Sequence, residues 1–227
     1  MDEFDARATA EPDADTKALI TELEARGCKE LHQMSAEDVR GWFDAVIHDL
    51  ALNPKPQVAA TEDMMIPVSG TKIAIRLYRP EPKGAPLPAL VFMHASGYVF
   101  GDLDTSDSFC RLLATGAHCM VIAVDYRRAP EYKFPGPIED CYQAALWVAE
   151  HANEIGVDPA RLAVGGESSG GTMATVVAQL AAERGKPSLC HQVLWYPGTG
   201  SLGPTASSQN YGEGYFLENS LQAWSVG

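Results

Sequence analysis

The chain has 227 residues, 46% of them hydrophobic and 21% charged, with a formal net charge of −13 at pH 7. That length and balance suit one substantial globular domain with room for a small appendage. So acidic a surface excludes nucleic acid and anionic membrane as partners, since both need a basic face. No apolar stretch approaches the roughly eighteen residues of a membrane span, so stable membrane insertion is not expected.

From the N-terminus, MDEFDARATAEPDAD is acidic and lacks the basic and apolar parts of a secretory signal, which points to a cytoplasmic protein. TKALITELEARGCKELHQM then places Leu19, Leu23, Leu31 and Met34 at roughly helical spacing. Ser35 reads as an N-cap for a second helix, AEDVRGWFDAVIHDL, with Val39, Trp42, Phe43, Val46 and Leu50 on one face. The prolines of NPKPQ end helical structure, and residues 1 to about 55 form an expected helical segment, with 56–227 as the core. Next, ATEDMMIPV and TKIAIRLYRP read as strands around a Ser-Gly turn, followed by the proline-rich loop EPKGAPLP.

LPALVFMH is apolar on both faces, as a strand inside a parallel sheet should be. A helix (DSFCRLLATG), a second buried strand (CMVIAVD), a helix (PIEDCYQAALWVAEHANEIG), the strand RLAVG, another helix and the strand HQVLWYP follow. This alternation predicts an α/β fold with a mostly parallel sheet and helices on both faces. The five cysteines (Cys28, Cys110, Cys119, Cys141 and Cys190) lack CxxC spacing, so reduced thiols are expected, with neither metal nor cofactor. A nucleotide site at the glycine-rich turn is disfavoured, because no Lys-Ser/Thr pair follows Gly170 and Gly171.

That turn carries the chemistry. VGGESSGGTM contains Gly-x-Ser-x-Gly as Gly166, Ser168 and Gly170, between a strand and a helix. The pattern is weak alone, but in this context it predicts a serine exposed at a sharp turn, where helix N-terminal amides favour developing negative charge. MHASGYVFGDLDTSD, directly after a buried strand, could turn backbone N–H groups toward a reacting carbonyl. His94, at its start, reads as a structural brace for the loop.

HASGYVFGDLDT, DYRRAPEYKFPGPIEDCYQA and GGESSGG, in this order, resemble the hormone-sensitive-lipase family of α/β-hydrolases, from about residue 60 to 220. The resemblance implies an α/β-hydrolase fold under an N-terminal helical cap, and hydrolysis of small-molecule carboxylic esters with short to medium acyl chains. It implies Ser168 as nucleophile and the amides of Ser96, Gly97 and Ser169 as oxyanion hole.

Three departures stand out. Ala95 and Ser96 replace two of the usual glycines after the histidine, which is compatible with the loop only if neither position needs positive φ. Glu167 and Ser169 flank the serine in place of the commoner Asp and Ala, with Glu167 read as a structural hydrogen-bonding group. Third, the triad acid and histidine of this fold follow the serine. After Ser168 there is no aspartate, the sole histidine is His191 at the start of a strand, and Glu183, Glu213 and Glu218 have no histidine to orient.

These features predict a chain truncated before the last strands, with little activity of its own. The alternative function is a catalytically silent small-molecule-binding protein on the same scaffold, as in the plant gibberellin receptors of this family. Oligomeric state is left open.

Overall fold

The computed structural model describes residues 11–81, 86–200 and 205–226. Most of the acidic N-terminal stretch and the middle of the loop EPKGAPLP lie outside those residues. The chain divides into two compact units, Met1–Val39 with Thr199–Gly227, and Arg40–Gly198, so the expected boundary near residue 55 falls inside the second.

In the first unit, α1 (Ala14–Ala25) is capped by Asp13, whose carboxylate accepts the Thr16 N–H at 2.8 Å. The single helix expected onward to Met34 is broken at Gly27, which sits at φ 84° and turns the chain into a short 3-10 helix, Cys28–Gln33. Ser35 caps α2 (Ala36–Leu50) as expected, accepting the Asp38 N–H at 3.1 Å. Later in the chain, Thr205 and Ser208 form a reciprocal capping box at the start of α6 (Ala206–Asn210), and α7 (Asn219–Val226) packs on the 3-10 helix.

The second unit holds a six-stranded sheet in the order β1-β2-β4-β3-β5-β6. Here β1 (Ala60–Val68) and β2 (Thr71–Arg79) form an antiparallel hairpin. β2 pairs antiparallel with β4 (Met120–Val124), while β3 (Leu87–Met93), β4, β5 (Val157–Glu167) and β6 (His191–Trp195) run parallel. Strand pleating sends alternate side chains to opposite faces, so a strand covered on both sides must be apolar throughout. Ala89, Val91 and Met93 of β3, with Met120, Ile122 and Val124 of β4, pack beneath α4 (Gly136–Glu150) and α5 (Ser169–Arg184). Leu90, Phe92, Val121 and Ala123 face the other way, onto Cys110 and Ala114 of α3 (Asp107–Ala117). Helices therefore cover both faces, and full burial of a Val- or Leu-sized side chain stabilises by about 1.5–3 kcal/mol.

Strand β5 departs from its expected form. It starts at Val157, opposite Leu87, then makes an excursion before Leu162 meets Ala89. Asp158 closes that excursion by accepting from the Ala160 N–H at 2.9 Å and the Arg161 guanidinium at 2.7 Å.

One charged pair ties α4 to the segment after β4. Asp140 is fully buried, and Arg127 grips it through Nε at 2.8 Å and a terminal nitrogen at 2.7 Å. The Arg127 backbone N–H adds a third bond at 3.1 Å. Removing the arginine strands a buried carboxylate, which typically costs about 3–5 kcal/mol, whereas exchanging both partners for apolar residues costs far less. Arg127→Met is thus expected to lose about 3–5 kcal/mol in urea denaturation, and Arg127→Met/Asp140→Leu to recover most of it.

Candidate active site

The carboxyl ends of β3 and β5 lie side by side, with Met93 opposite Gly166, so the loops that follow them leave the sheet at the same edge. Ser168 connects β5 to α5 at φ 51°, ψ −121°, a conformation that side-chain-bearing residues rarely adopt. Such a residue stores on the order of 1–3 kcal/mol of strain, and its surroundings must over-determine it. They do. The Ser168 N–H donates to the Trp195 carbonyl at 3.0 Å, and its carbonyl accepts the Thr172 N–H at 3.0 Å as the first turn of α5 begins. Gly170 lies against the backbone of β3, where a Cβ would stand 2.2 Å from the Met93 carbonyl oxygen. Glycine is needed at that position because two backbones meet there. Among the described residues, the Ser168 hydroxyl has no hydrogen-bond partner, and no imidazole is bonded to it.

The second segment is His94–Gly101. Positive φ falls at Gly97 (50°), Tyr98 (67°) and Gly101 (75°), and not at Ala95 or Ser96. The two replaced glycines therefore sit where a Cβ is tolerated. Tyr98 holds its position because its carbonyl accepts the Ala129 N–H at 3.0 Å. The Val99 and Phe100 N–H groups both return to the Ser96 carbonyl at 2.9 Å, closing a tight turn.

The segment after β4, DYRRAPE, holds this turn in place. Tyr126 donates its hydroxyl hydrogen to the His94 carbonyl at 2.7 Å and stacks on the imidazole at 4.3 Å. With that hydrogen spent, the 3.2 Å approach of His94 Nδ1 to the Tyr126 oxygen requires the proton on Nδ1, which also reaches the Ala95 carbonyl at 3.2 Å. Nε2 is left a bare, buried acceptor without a partner among the described residues. Arg128 donates to the Gly101 carbonyl, and Arg40 of α2 spans the Val99 and Ala129 carbonyls at 2.8 Å each while pairing with Glu131. Sequence reasoning used this motif as one of three carrying the family resemblance without assigning it work; its tyrosine and arginines, following a buried strand, were the available signal.

The four sequence-predicted residues come together here, in an arrangement the spacing did not reveal. Ser96 and Ser169 are buried, and their hydroxyls lie 2.9 Å apart. The Ser96 N–H, expected as an oxyanion donor, instead donates to Ser169 Oγ at 3.1 Å. The Gly97 and Ser169 N–H groups have no hydrogen-bond partner among the described residues. Glu167 accepts a hydrogen bond from the Tyr196 hydroxyl, and burial raises its carboxyl above the ordinary range. His191 is exposed at the first residue of β6, at the opposite end of that strand from Ser168, and makes no contact with it. Among the described residues no group of three or more His, Cys, Asp or Glu is placed to hold a metal ion. No described helix is long and apolar enough to cross a membrane.

A strained serine heading a helix, on the carboxyl edge of this sheet, defines the class: the chain belongs to the α/β-hydrolase fold family, whose model matches residues 90–226. Within it the chain falls in the hormone-sensitive-lipase-like group that its motifs resemble. It is 43% identical over 155 residues to esterase LipI of Mycobacterium tuberculosis, covering 67% of this chain and 48% of that protein. Ethyl acetate hydrolase of Pseudomonas putida is 37% identical over 197 residues, covering 86% and 62%. The hyperthermophilic esterase of Pyrobaculum calidifontis superposes with a TM-score of 0.89 at 36% identity, over 96% of this chain and 70% of that one. The chain thus spans about half the length of the curated relatives it matches.

Burial draws the His94 pKa down to about 4, chiefly by desolvation, with the Arg128 charge adding to it and the Ala95 carbonyl opposing it. The folded ring is therefore neutral where the unfolded ring, at about 6.5, takes up a proton. Stability contributed by this group is complete above pH 6.5 and falls as pH drops toward 4, by roughly 3 kcal/mol over the window. Urea titrations at pH 7 and pH 4.5 are expected to show a smaller acid-induced loss in His94→Gln than in the parent chain.

Proposed function

We propose that this chain carries the nucleophile and the anion-stabilising part of a serine ester hydrolase acting on small carboxylic esters. Ser168 attacks the ester carbonyl carbon; the negative charge that develops on the carbonyl oxygen is met by the Gly97 and Ser169 amides. Expulsion of the alcohol leaves an acyl group on Ser168, which water then removes. The observation that carries this reading is Ser168 itself, a side-chain-bearing residue at φ 51° heading α5 with uncommitted amides in the adjoining segments. A short acyl chain is favoured by the name of one relative, ethyl acetate hydrolase.

A serine hydroxyl needs a base to take its proton, and this sequence offers no aspartate after Ser168 and only His191 as an imidazole there. The reading therefore leaves acid and base unassigned among these 227 residues. Without a base, anion stabilisation and binding leave about 10³–10⁴-fold acceleration over water. The 227-residue chain is expected to hydrolyse p-nitrophenyl acetate or butyrate no faster than that. A chimera continuing it into the C-terminal part of the Pyrobaculum calidifontis esterase is expected to turn both over, with Ser168→Ala abolishing the gain. Robust Ser168-dependent turnover by the chain alone would refute the missing base; an inert, folded chimera would refute the esterase.

A further inference from the structure

Two of the departures from the family pattern, Ser96 in a glycine position and Ser169 in an alanine position, lie 73 residues apart and meet. We infer that Ser169 is a positioning residue: its hydroxyl clasps the Ser96 segment to the head of α5 and withdraws the Ser96 amide from the anion site. The inference rests on the esterase reading for its catalytic consequence, but the clasp stands on geometry alone.

Three hydrogen bonds make the clasp. The Ser96 N–H reaches Ser169 Oγ at 3.1 Å, the two hydroxyls share a bond at 2.9 Å, and the Tyr98 N–H reaches Ser96 Oγ at 2.8 Å. Ser96 is 1% exposed and Ser169 5%, so water does not compete for these groups. A buried donor left without a partner costs about 1–3 kcal/mol, so removing the Ser169 hydroxyl releases a strong restraint on the loop. The arrangement also fixes what can bind an anion. With the Ser96 N–H committed to Ser169 Oγ, the donors left are the Gly97 amide, one residue along the clasped loop, and the Ser169 amide, in the residue that clasps it. Their separation is then set by the clasp.

The test has two arms. In the ¹⁵N-labelled 227-residue chain, the Ser96 amide is expected to be protected from hydrogen exchange. Protection should fall at least about tenfold in Ser169→Ala and be retained in Ser169→Thr, with β3 and β5 core amides unchanged as a folding control. Unchanged protection of Ser96 in a folded Ser169→Ala chain overturns the clasp. In the chimera, Ser169→Ala is expected to lower kcat about tenfold to a hundredfold with KM little changed, and Ser169→Thr to restore it, as misplaced donors rather than lost binding demand. An unchanged or raised kcat overturns the positioning role while leaving the esterase reading intact. Absence of turnover in the parent chimera strikes the esterase reading instead, and hydrogen exchange still decides the clasp.

Discussion

Everything at the candidate site depends on one close approach, the backbone of Gly170 against the end of β3. The Met93 carbonyl occupies the space a side chain at 170 would need, and so does the His94 carbonyl. This contact draws the first turn of α5 down onto the sheet and leaves Ser168 too little chain to turn with ordinary dihedral angles. The serine absorbs the mismatch at φ 51°. The strain is sustained by the Trp195 carbonyl on β6, which receives the Ser168 N–H, so three parallel strands share in holding one residue. It is the Ser168 backbone that is fixed in this way, through its N–H to Trp195 and its carbonyl to Thr172.

The loop after β3 is held differently. Val99 and Phe100 are buried and Tyr98 packs against the core, and the Ser96, Tyr98, Val99 and Phe100 N–H groups are all paired, while the Gly97 amide stays uncommitted. Further support comes through its carbonyls and the ring of His94. Tyr126, Arg128 and Arg40 all donate to carbonyl oxygens of the segment or its partner, and the Tyr126 ring packs on His94. Arginine suits this work because its guanidinium spreads several donors in a fixed plane and stays charged. The buried Asp140–Arg127 pair anchors the supporting segment to α4. Charge thus enters the region as scaffolding, at the Val99, Gly101 and Ala129 carbonyls.

How much of this was legible in the sequence follows from the range of the forces involved. Strands β3 and β4 were readable because burial on both faces leaves a continuous apolar run, and α2 because Ser35 and the 3.6-residue period agree. The break at Gly27 was missed because Leu31 and Met34 keep a helical spacing across it. In β5 the apolar run marked only Leu162 onward, since the Asp158 excursion is polar and closes on itself. At the site, the serine turn was legible from its glycines. Tyr98 was not: an aromatic residue at φ 67° is held by Ala129, and no local propensity announces it. The Ser96–Ser169 pairing was equally hidden, because the two serines lie 73 residues apart and only the fold brings them together.

The geometry also bears on where the Ser168 proton can go. A useful acceptor must be within hydrogen-bond reach and titrate near the working pH. His94 fails on both counts: its ring is locked against Tyr126 with Nδ1 protonated, and burial keeps its pKa near 4. Glu167 adjoins the serine in sequence, but its carboxyl is engaged by the Tyr196 hydroxyl. The Ser169 hydroxyl accepts from the Ser96 amide and shares its remaining bond with Ser96. The amides around the turn can only donate. None of these described groups is therefore both free and placed to accept the Ser168 proton.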